Sequence, residues 1–316
     1  MANAPTLRAD TSNFRRRSQT PGVGHRQDSA PDLYARVKVL KIAGKPVGRV
    51  ACGVHRDEQG RDAICEQPDV LEGRRYLDTL FADFDRQLKE RGYLAIGGQI
   101  VDVTLVAAPK QRNTQVEKAA IKEGKKAGEI WPGEPARAAQ RDTDARWTLK
   151  FAKAKPTPDG KPDIDIAIPS FGYKSSISIC RAFGFIRKSK VTNGARFDGR
   201  MLRDVVMNDN TASDVWADTA YRSQANEKWL KRQGRVSHID RVKPRDGQMP
   251  EWTTRANAAI SKVRAHVEHV FAQQKDKMGL FIRTIGIKRA EAKITLANLA
   301  YSMNRLIFHE RRASMG

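Results

Sequence analysis

Three acidic residues, two of them alone in mostly apolar strand segments, are of types that suit divalent-metal chemistry. Asp102 is the only acid in the β-branched run QIVDVTLVAAP, and Asp218 ends the short run VWAD. Glu268 lies in the helix-forming segment ISKVRAHVEHVFAQQKDKMG. A buried carboxylate without a partner is costly. Two strands and a later helix could bring these three carboxylates together, and carboxylate oxygens are hard ligands. We therefore predict a site for two Mg²⁺ ions.

The helix around Glu268 carries two cations that share its face. Arg264 precedes Glu268 by four residues and Lys275 follows it by seven, so all three form one stripe at about 100° per residue. A solvated ion pair is the simpler interpretation of Arg264 and Glu268 alone. His266 and His269 flank the acid, but H-V-E-H lacks the H-E-x-x-H spacing of a zinc helix.

Hydrophobic periodicity predicts the elements that position these residues. An amphipathic helix begins at Arg75 and stops at Gly92, and a buried strand that contains Asp102 follows it. Further along the chain, the pattern predicts a hairpin, a strand ending in Asp218, a helix, another strand and two long helices. Their segments are Ile166 to Asn193, Val215 to Tyr221, Gln224 to Gln233, Val236 to Val242, Ala256 to Met278 and Ala290 to Glu310.

The composition favours a polyanionic partner. The 316 residues include 58 Lys and Arg against 36 Asp and Glu, a formal net charge of +22. From Phe171 onwards there are 28 basic and 13 acidic residues, so the excess lies mainly in the part that holds Asp218 and Glu268. Such a charge predicts nucleic-acid binding. The sequence has no apolar run of membrane-spanning length and no signal peptide pattern, which predicts a cytoplasmic protein and no membrane partner.

Five sequence blocks resemble, in order, the catalytic blocks of bacterial insertion-sequence DDE transposases of the IS-five type. The resemblance covers about Arg75 to Phe308. It implies an α/β fold, a ribonuclease-H-like mixed sheet flanked by helices, with catalytic and metal-binding roles for Asp102, Asp218 and Glu268. The blocks are IVDVTLVAAP, GYKSS, NTASDVWADTAYRS, VRAHVEHVFAQQK and RTIGIKRAEAKITLANLAYSMNRL.

The family's signature helix, Y-x-x-R-x-x-x-E-x-x-x-x-x-x-K, adds DNA contacts to this expectation. Arg264, Glu268 and Lys275 match its spacing, and Ser261 stands at its Tyr position. The resemblance implies DNA binding by Arg264 and Lys275, and Lys174 in the GYK block is a further candidate for phosphate contact. It also implies two Mg²⁺ ions, with Mn²⁺ as a substitute. The implied partners are transposon terminal inverted repeats and target DNA, bound by a homo-oligomer in the bacterial nucleoid.

The expected organisation is a poorly structured N-terminal leader at 1–74, a helix leading into the core at 75–98, and a catalytic domain at 99–316 with a charged insertion at about 110–165. The predicted activity is metal-dependent cleavage at transposon ends and strand transfer into target DNA. Two alternatives stay open: another ribonuclease-H-like nuclease, and a transposase remnant that only binds DNA. The second is favoured by the atypical leader and by Ser176 and Cys180, where many relatives carry other residues.

Overall fold

The computed structural model describes residues 68–152, 166–244 and 247–315, together with four two-residue strands nearer the N-terminus. Contacts divide the chain into a unit of residues 1–62 and a unit of residues 63–316. Apart from its short strands and its last residues, the predicted leader lies outside the described residues. The four strands are β1 (Lys41–Ile42), β2 (Lys45–Pro46), β3 (His55–Arg56) and β4 (Asp62–Ala63).

Helix α1 (Pro68–Glu90) confirms the predicted amphipathic helix but begins earlier than Arg75. Proline suits the first position of a helix because its φ is already helical and it has no N–H left unpaired there. Phe84 and Leu88 are buried on the apolar face. The helix ends as predicted, since Gly92 adopts a φ of 83° that a residue with a side chain would rarely take.

A six-stranded mixed sheet forms the centre of the larger unit. Strands β10, β9 and β5 run parallel to one another, and β7 is antiparallel to β5, β6 and β8. The predicted strands that carry Asp102 and precede Asp218 are both present. The strands are β5 (Gln99–Ala107), β6 (Arg146–Ala152), β7 (Ile166–Cys180), β8 (Ile186–Asn193), β9 (Asp214–Ala217) and β10 (Val236–Ile239).

Helices cover both faces of this sheet. After α1 they are α2 (Gln115–Glu123), α3 (Ala127–Ile130), α4 (Pro135–Gln140), α5 (Leu202–Val205), α6 (Gln224–Arg232), α7 (Glu251–Ala272) and α8 (Ile287–Ser314). Short 3-10 turns span Asp198–Met201 and Thr219–Tyr221, and α7 continues as a π-helical turn at Gln273–Lys277. None of the helices in the described ranges is both long enough and apolar enough to cross a membrane.

Alternation along the strands explains the two helical layers. Ile100 of β5 and Ile177 of β7 pack with Val267 of α7 on one face. The neighbouring Val101 packs with Leu202 and Leu230 on the other. Because successive strand residues point to opposite faces, a nearly continuous apolar strand is buried on both sides. The predicted α/β class, a mixed sheet flanked by helices, is confirmed and is consistent with a ribonuclease-H-like fold.

The segment predicted as a charged insertion is partly built into the sheet. Helix α2 starts with a capping box in which Thr114 and Glu117 satisfy each other's backbone N–H groups. Strand β6 pairs with the first half of β7. The Tyr173 hydroxyl donates to Asp142 Oδ2 at 2.6 Å, in a fully buried position. These contacts fix the segment against the face that also packs on α8.

Candidate active site

Asp102 and Asp218 lie side by side on neighbouring parallel strands. Gln99 pairs with Val215 and Ile100 with Trp216, so the register carried two residues further brings Asp102 level with Asp218. Residues at the same register on adjacent strands point to the same face. The two acids that the sequence singled out are therefore neighbours on the face covered by α7.

Each of these aspartates has one oxygen tied to the backbone. Asp102 Oδ1 accepts from the Val103 N–H at 2.7 Å, and Asp218 Oδ1 accepts from the Ala220 N–H at 2.9 Å, where it caps a 3-10 turn. The other oxygen of each carboxylate faces the Arg264 guanidinium of α7. Arg264 Nη2 lies 3.5 Å from Asp102 Oδ2 and 4.0 Å from Asp218 Oδ2. The fold thus points two free carboxylate oxygens at one cation.

A third aspartate, Asp240, joins this cluster, and the sequence analysis did not select it. It directly follows β10, and its N–H donates to the Ala217 carbonyl at 3.2 Å, which keeps it in register with Asp218. Its Oδ2 lies 2.9 Å from Arg264 Nη1. The signal was present, because the predicted strand Val236 to Val242 contains one acid, placed directly after VSHI much as Asp218 follows VWA. Asp102, Asp218 and Asp240 therefore sit in one row across three parallel strands.

Burial dominates the electrostatics of Asp102. Only 12% of its side chain is exposed. Desolvation raises the pKa of this carboxyl to about 6, although the Val103 hydrogen bond and the Arg264 charge act in the opposite direction. The neighbouring Asp218 charge raises it further. Burial also raises the pKa of Asp240, against the effect of Arg264. The Arg264 guanidinium therefore offsets only part of the cost of ionising Asp102 and Asp240.

Glu268 is not brought into contact with the aspartates in this structure. It lies one turn after Arg264 on the same side of α7, at an exposed position. Its carboxylate has no hydrogen-bond or ion-pair partner among the described residues. Its predicted role as the third catalytic and metal-binding acid stays a prediction.

The two lysines proposed as DNA contacts also lie apart from the row of aspartates. Lys275 is exposed, but it falls in the π-helical turn, whose wider winding rotates it from the direction expected for a regular α-helix. Lys174 lies on the face of β7 opposite to Asp102, because Asp102 pairs with Ile177 and faces alternate along the strand. There, Lys174 Nζ donates to the Arg196 carbonyl at 2.8 Å and pairs with Asp198 at 2.7 Å. DNA binding by either lysine is still a prediction.

Trp216 and the cysteine in the described ranges are structural. Trp216 is buried in the α7 layer, and its ring stacks on His238 with centroids 4.9 Å apart. Cys180 is a free, buried thiol, whereas Cys52 and Cys65 lie outside the described residues.

The chemistry of the paired carboxylates fits a hard divalent cation. Asp102 and Asp218 offer adjacent carboxylate oxygens that already face a cation, and burial of Asp102 penalises its charged form. Oxygen-only ligands with this charge are those that Mg²⁺ and Mn²⁺ prefer. In the described ranges, no group of three or more His, Cys, Asp or Glu residues is arranged to hold a metal ion. Two carboxylates are thus in place, and a third ligand would have to come from another residue.

Comparison with known proteins finds similarity to transposases. The sequence profile of a family described as "Transposase DDE domain" matches residues 95–303, which include the aspartate row and Glu268. The chain is 27% identical over 200 residues to the transposase for insertion sequence element IS1106 from Neisseria meningitidis serogroup B. That alignment covers 62% of this chain, and the chain spans 60% of the relative's length. No solved structure shows a significant match.

Proposed function

The chain belongs to the DDE transposase domain family, and on this basis we propose that it cuts DNA at the ends of a transposon and joins those ends to target DNA. The observation that carries this proposal is the pair Asp102 and Asp218, held in register with one oxygen of each carboxylate directed at a common cation. Membership of the IS-five group within the family is part of the proposal.

Asp102, Asp218 and Glu268 would hold two Mg²⁺ ions, for which Mn²⁺ can substitute. When bound, such ions activate the attacking oxygen and stabilise the leaving oxygen of a phosphodiester. The Val103 and Ala220 N–H groups orient the two aspartates by engaging Oδ1, which leaves Oδ2 directed into the site. Glu268 would be supplied by α7, the helix that carries Arg264 over the aspartates.

The reaction then consists of two transfers at phosphorus. Water attacks at the transposon end, the bond to the 3′ oxygen breaks, and a 3′-hydroxyl and a 5′-phosphate result. The freed 3′-hydroxyl attacks a target phosphodiester and displaces a target 3′-hydroxyl, so the number of phosphodiester bonds is conserved in this step. Neither step requires a covalent bond to the protein.

The basic surface would hold the two DNA partners, the terminal inverted repeats and the target. The 28 basic residues from Phe171 onwards supply a positive field around the acids, and phosphate contacts dominate the affinity of such interfaces. We assign Lys275 and Arg264 to contacts near the scissile phosphate, and Lys174 to a contact further from it, since it lies on the opposite face of the sheet. Two copies assembled on paired ends, in the bacterial nucleoid, would complete the reaction.

Incubation of the protein with a plasmid that carries the element's terminal repeats tests this function. In Mg²⁺, we expect cut ends and strand-transfer products, and in EDTA neither. Cutting without joining would indicate a ribonuclease-H-like nuclease of another kind. Binding to the repeats without cutting would indicate a transposase remnant that acts only as a basic DNA-binding protein.

A further inference from the structure

We propose that Asp240 is a positioning residue that anchors Arg264, so that the other end of the guanidinium acts as the resident counter-ion of Asp102 and Asp218 and gives way when a divalent ion binds. The counter-ion role rests on the proposed metal-dependent function. The anchoring role does not, because the contacts that support it are those of the protein without metal.

The two ends of the guanidinium have different partners. Nη1 lies 2.9 Å from Asp240 Oδ2, which is hydrogen-bonding distance, whereas Nη2 lies 3.5 Å from Asp102 and 4.0 Å from Asp218. An arginine fork has a fixed planar geometry, so holding one nitrogen also places the other. The closer contact is therefore the anchor, and the two longer contacts are the ones that can be exchanged.

Asp240 is itself held on two sides. Its N–H is bonded to the Ala217 carbonyl of β9. The next residue, Arg241, is clamped to α7, because its N–H donates to Asn257 Oδ1 and its carbonyl accepts from Asn257 Nδ2, both at 3.0 Å. The anchor thus joins the sheet edge to the helix that carries Arg264.

The charge of the aspartate cluster favours replacement of Arg264 by a divalent ion as the counter-ion of Asp102 and Asp218. When all three aspartates are ionised, they carry a formal charge of −3 and Arg264 contributes +1, so the cluster is left at −2. The side chains of Asp240 and Arg264 are only 10% and 15% exposed, which makes unbalanced charge costly. One bound divalent ion would bring the cluster to neutrality while Asp240 keeps Arg264.

Removing the anchor should therefore weaken ion binding through Arg264. In Asp240→Asn, the guanidinium loses its nearest carboxylate and settles on Asp102 and Asp218, where it competes with the ion. We expect Mn²⁺ affinity to fall about tenfold, the lower end of the effect of residues that act through a metal ligand. In an Arg264→Gln background, the competitor is absent, and the same substitution should cost less than about threefold, as expected if the two residues are coupled.

The experiment measures Mn²⁺ binding by the full chain, from the electron paramagnetic resonance signal of free Mn²⁺, for the four members of this cycle. Asp240→Glu keeps the carboxylate and should retain most of the affinity. Asp214→Asn removes an aspartate that is paired with His238 rather than Arg264 and serves as the matched control. Equal losses in both backgrounds would make Asp240 a metal ligand and overturn the proposal, as would no loss in either.

Thermal unfolding of the same four proteins in EDTA tests the anchor without metal. Asp240→Asn should lower Tm clearly when Arg264 is present and much less in the Arg264→Gln background. Equal shifts would show that the two residues are not coupled and would refute the anchoring role. If the wild type binds no Mn²⁺, the proposed metal site fails, and the EDTA cycle still decides whether Asp240 positions Arg264.

Discussion

Asp102 makes the stability of the metal-free protein fall as the pH rises, whereas most paired carboxylates have the opposite effect. Its pKa rises from 3.8 to about 6 because the carboxyl is buried. A raised pKa means that the folded state binds the proton more tightly than the unfolded chain does. The contribution of Asp102 to stability is therefore fully present below pH 4 and is lost as the pH rises through 6.

The size of this effect follows from the shift. A change of about 2 pKa units corresponds to about 3 kcal/mol, and the side chain is too buried for solvent to screen much of it. Asp102→Asn removes the ionisation. The free energy of unfolding of this variant, relative to that of the wild type, should therefore increase by about 3 kcal/mol between about pH 4 and about pH 7.

Urea unfolding in EDTA at a series of pH values, followed by circular dichroism, measures this difference. Asp204→Asn removes the same charge from an exposed position and is the matched control. A difference that stays flat for Asp102→Asn would contradict the dominance of burial. A decrease with pH would mean that Arg264 stabilises the charged form by more than burial destabilises it. A change of equal size in Asp204→Asn would show that the site is not its source.

Three other outcomes are expected. Mg²⁺ at about a hundred times its Kd should raise the free energy of unfolding by about 2.7 kcal/mol in thermal unfolding, and an equal rise in the Asp102→Asn, Asp218→Asn double variant would contradict the assigned site. Lys275→Ala should weaken DNA binding and reduce the slope of log affinity against log salt by about one, and an unchanged slope in a fluorescence titration would remove Lys275 from the phosphate contacts. Gly98→Ala should lower the free energy of unfolding in urea by at least about 2 kcal/mol, because a Cβ there would lie 2.4 Å from the Trp216 ring. The control Gly92→Ala has a similar φ but open space around it, so it should cost only about 1 kcal/mol.

Much of the fold followed from local patterns in the sequence. The β-branched run around Asp102 and the short apolar run before Asp218 correctly predicted the two strands, because strands buried on both faces leave few polar residues. The start of α1 was missed because its signal at Pro68 precedes the apolar periodicity. Likewise, nothing in the spacing around Lys275 distinguishes a π-helical turn from a regular one.

The site was predicted less completely than the strands. Asp240 was overlooked because VSHID contains His238 and Ser237 and is less apolar than the strand before Asp218, so its acid did not stand out. DNA binding by Arg264 stays a prediction, but the contacts of its guanidinium with Asp102 and Asp240 were not predicted. The partner of Arg264 depends on how α7 packs across the sheet. This packing cannot be read from the spacing of residues along the helix.

The most direct test of the central claim compares wild type and Glu268→Gln in nicking and joining of terminal-repeat DNA, with Mg²⁺ or EDTA and with DNA binding measured in parallel. The account predicts that the wild type cuts and joins only with Mg²⁺, that Glu268→Gln binds DNA but does not cut it, and that Glu251→Gln, at the exposed start of the same helix, behaves as wild type. Metal-dependent cutting by Glu268→Gln would contradict the claim that this glutamate acts together with Asp102 and Asp218.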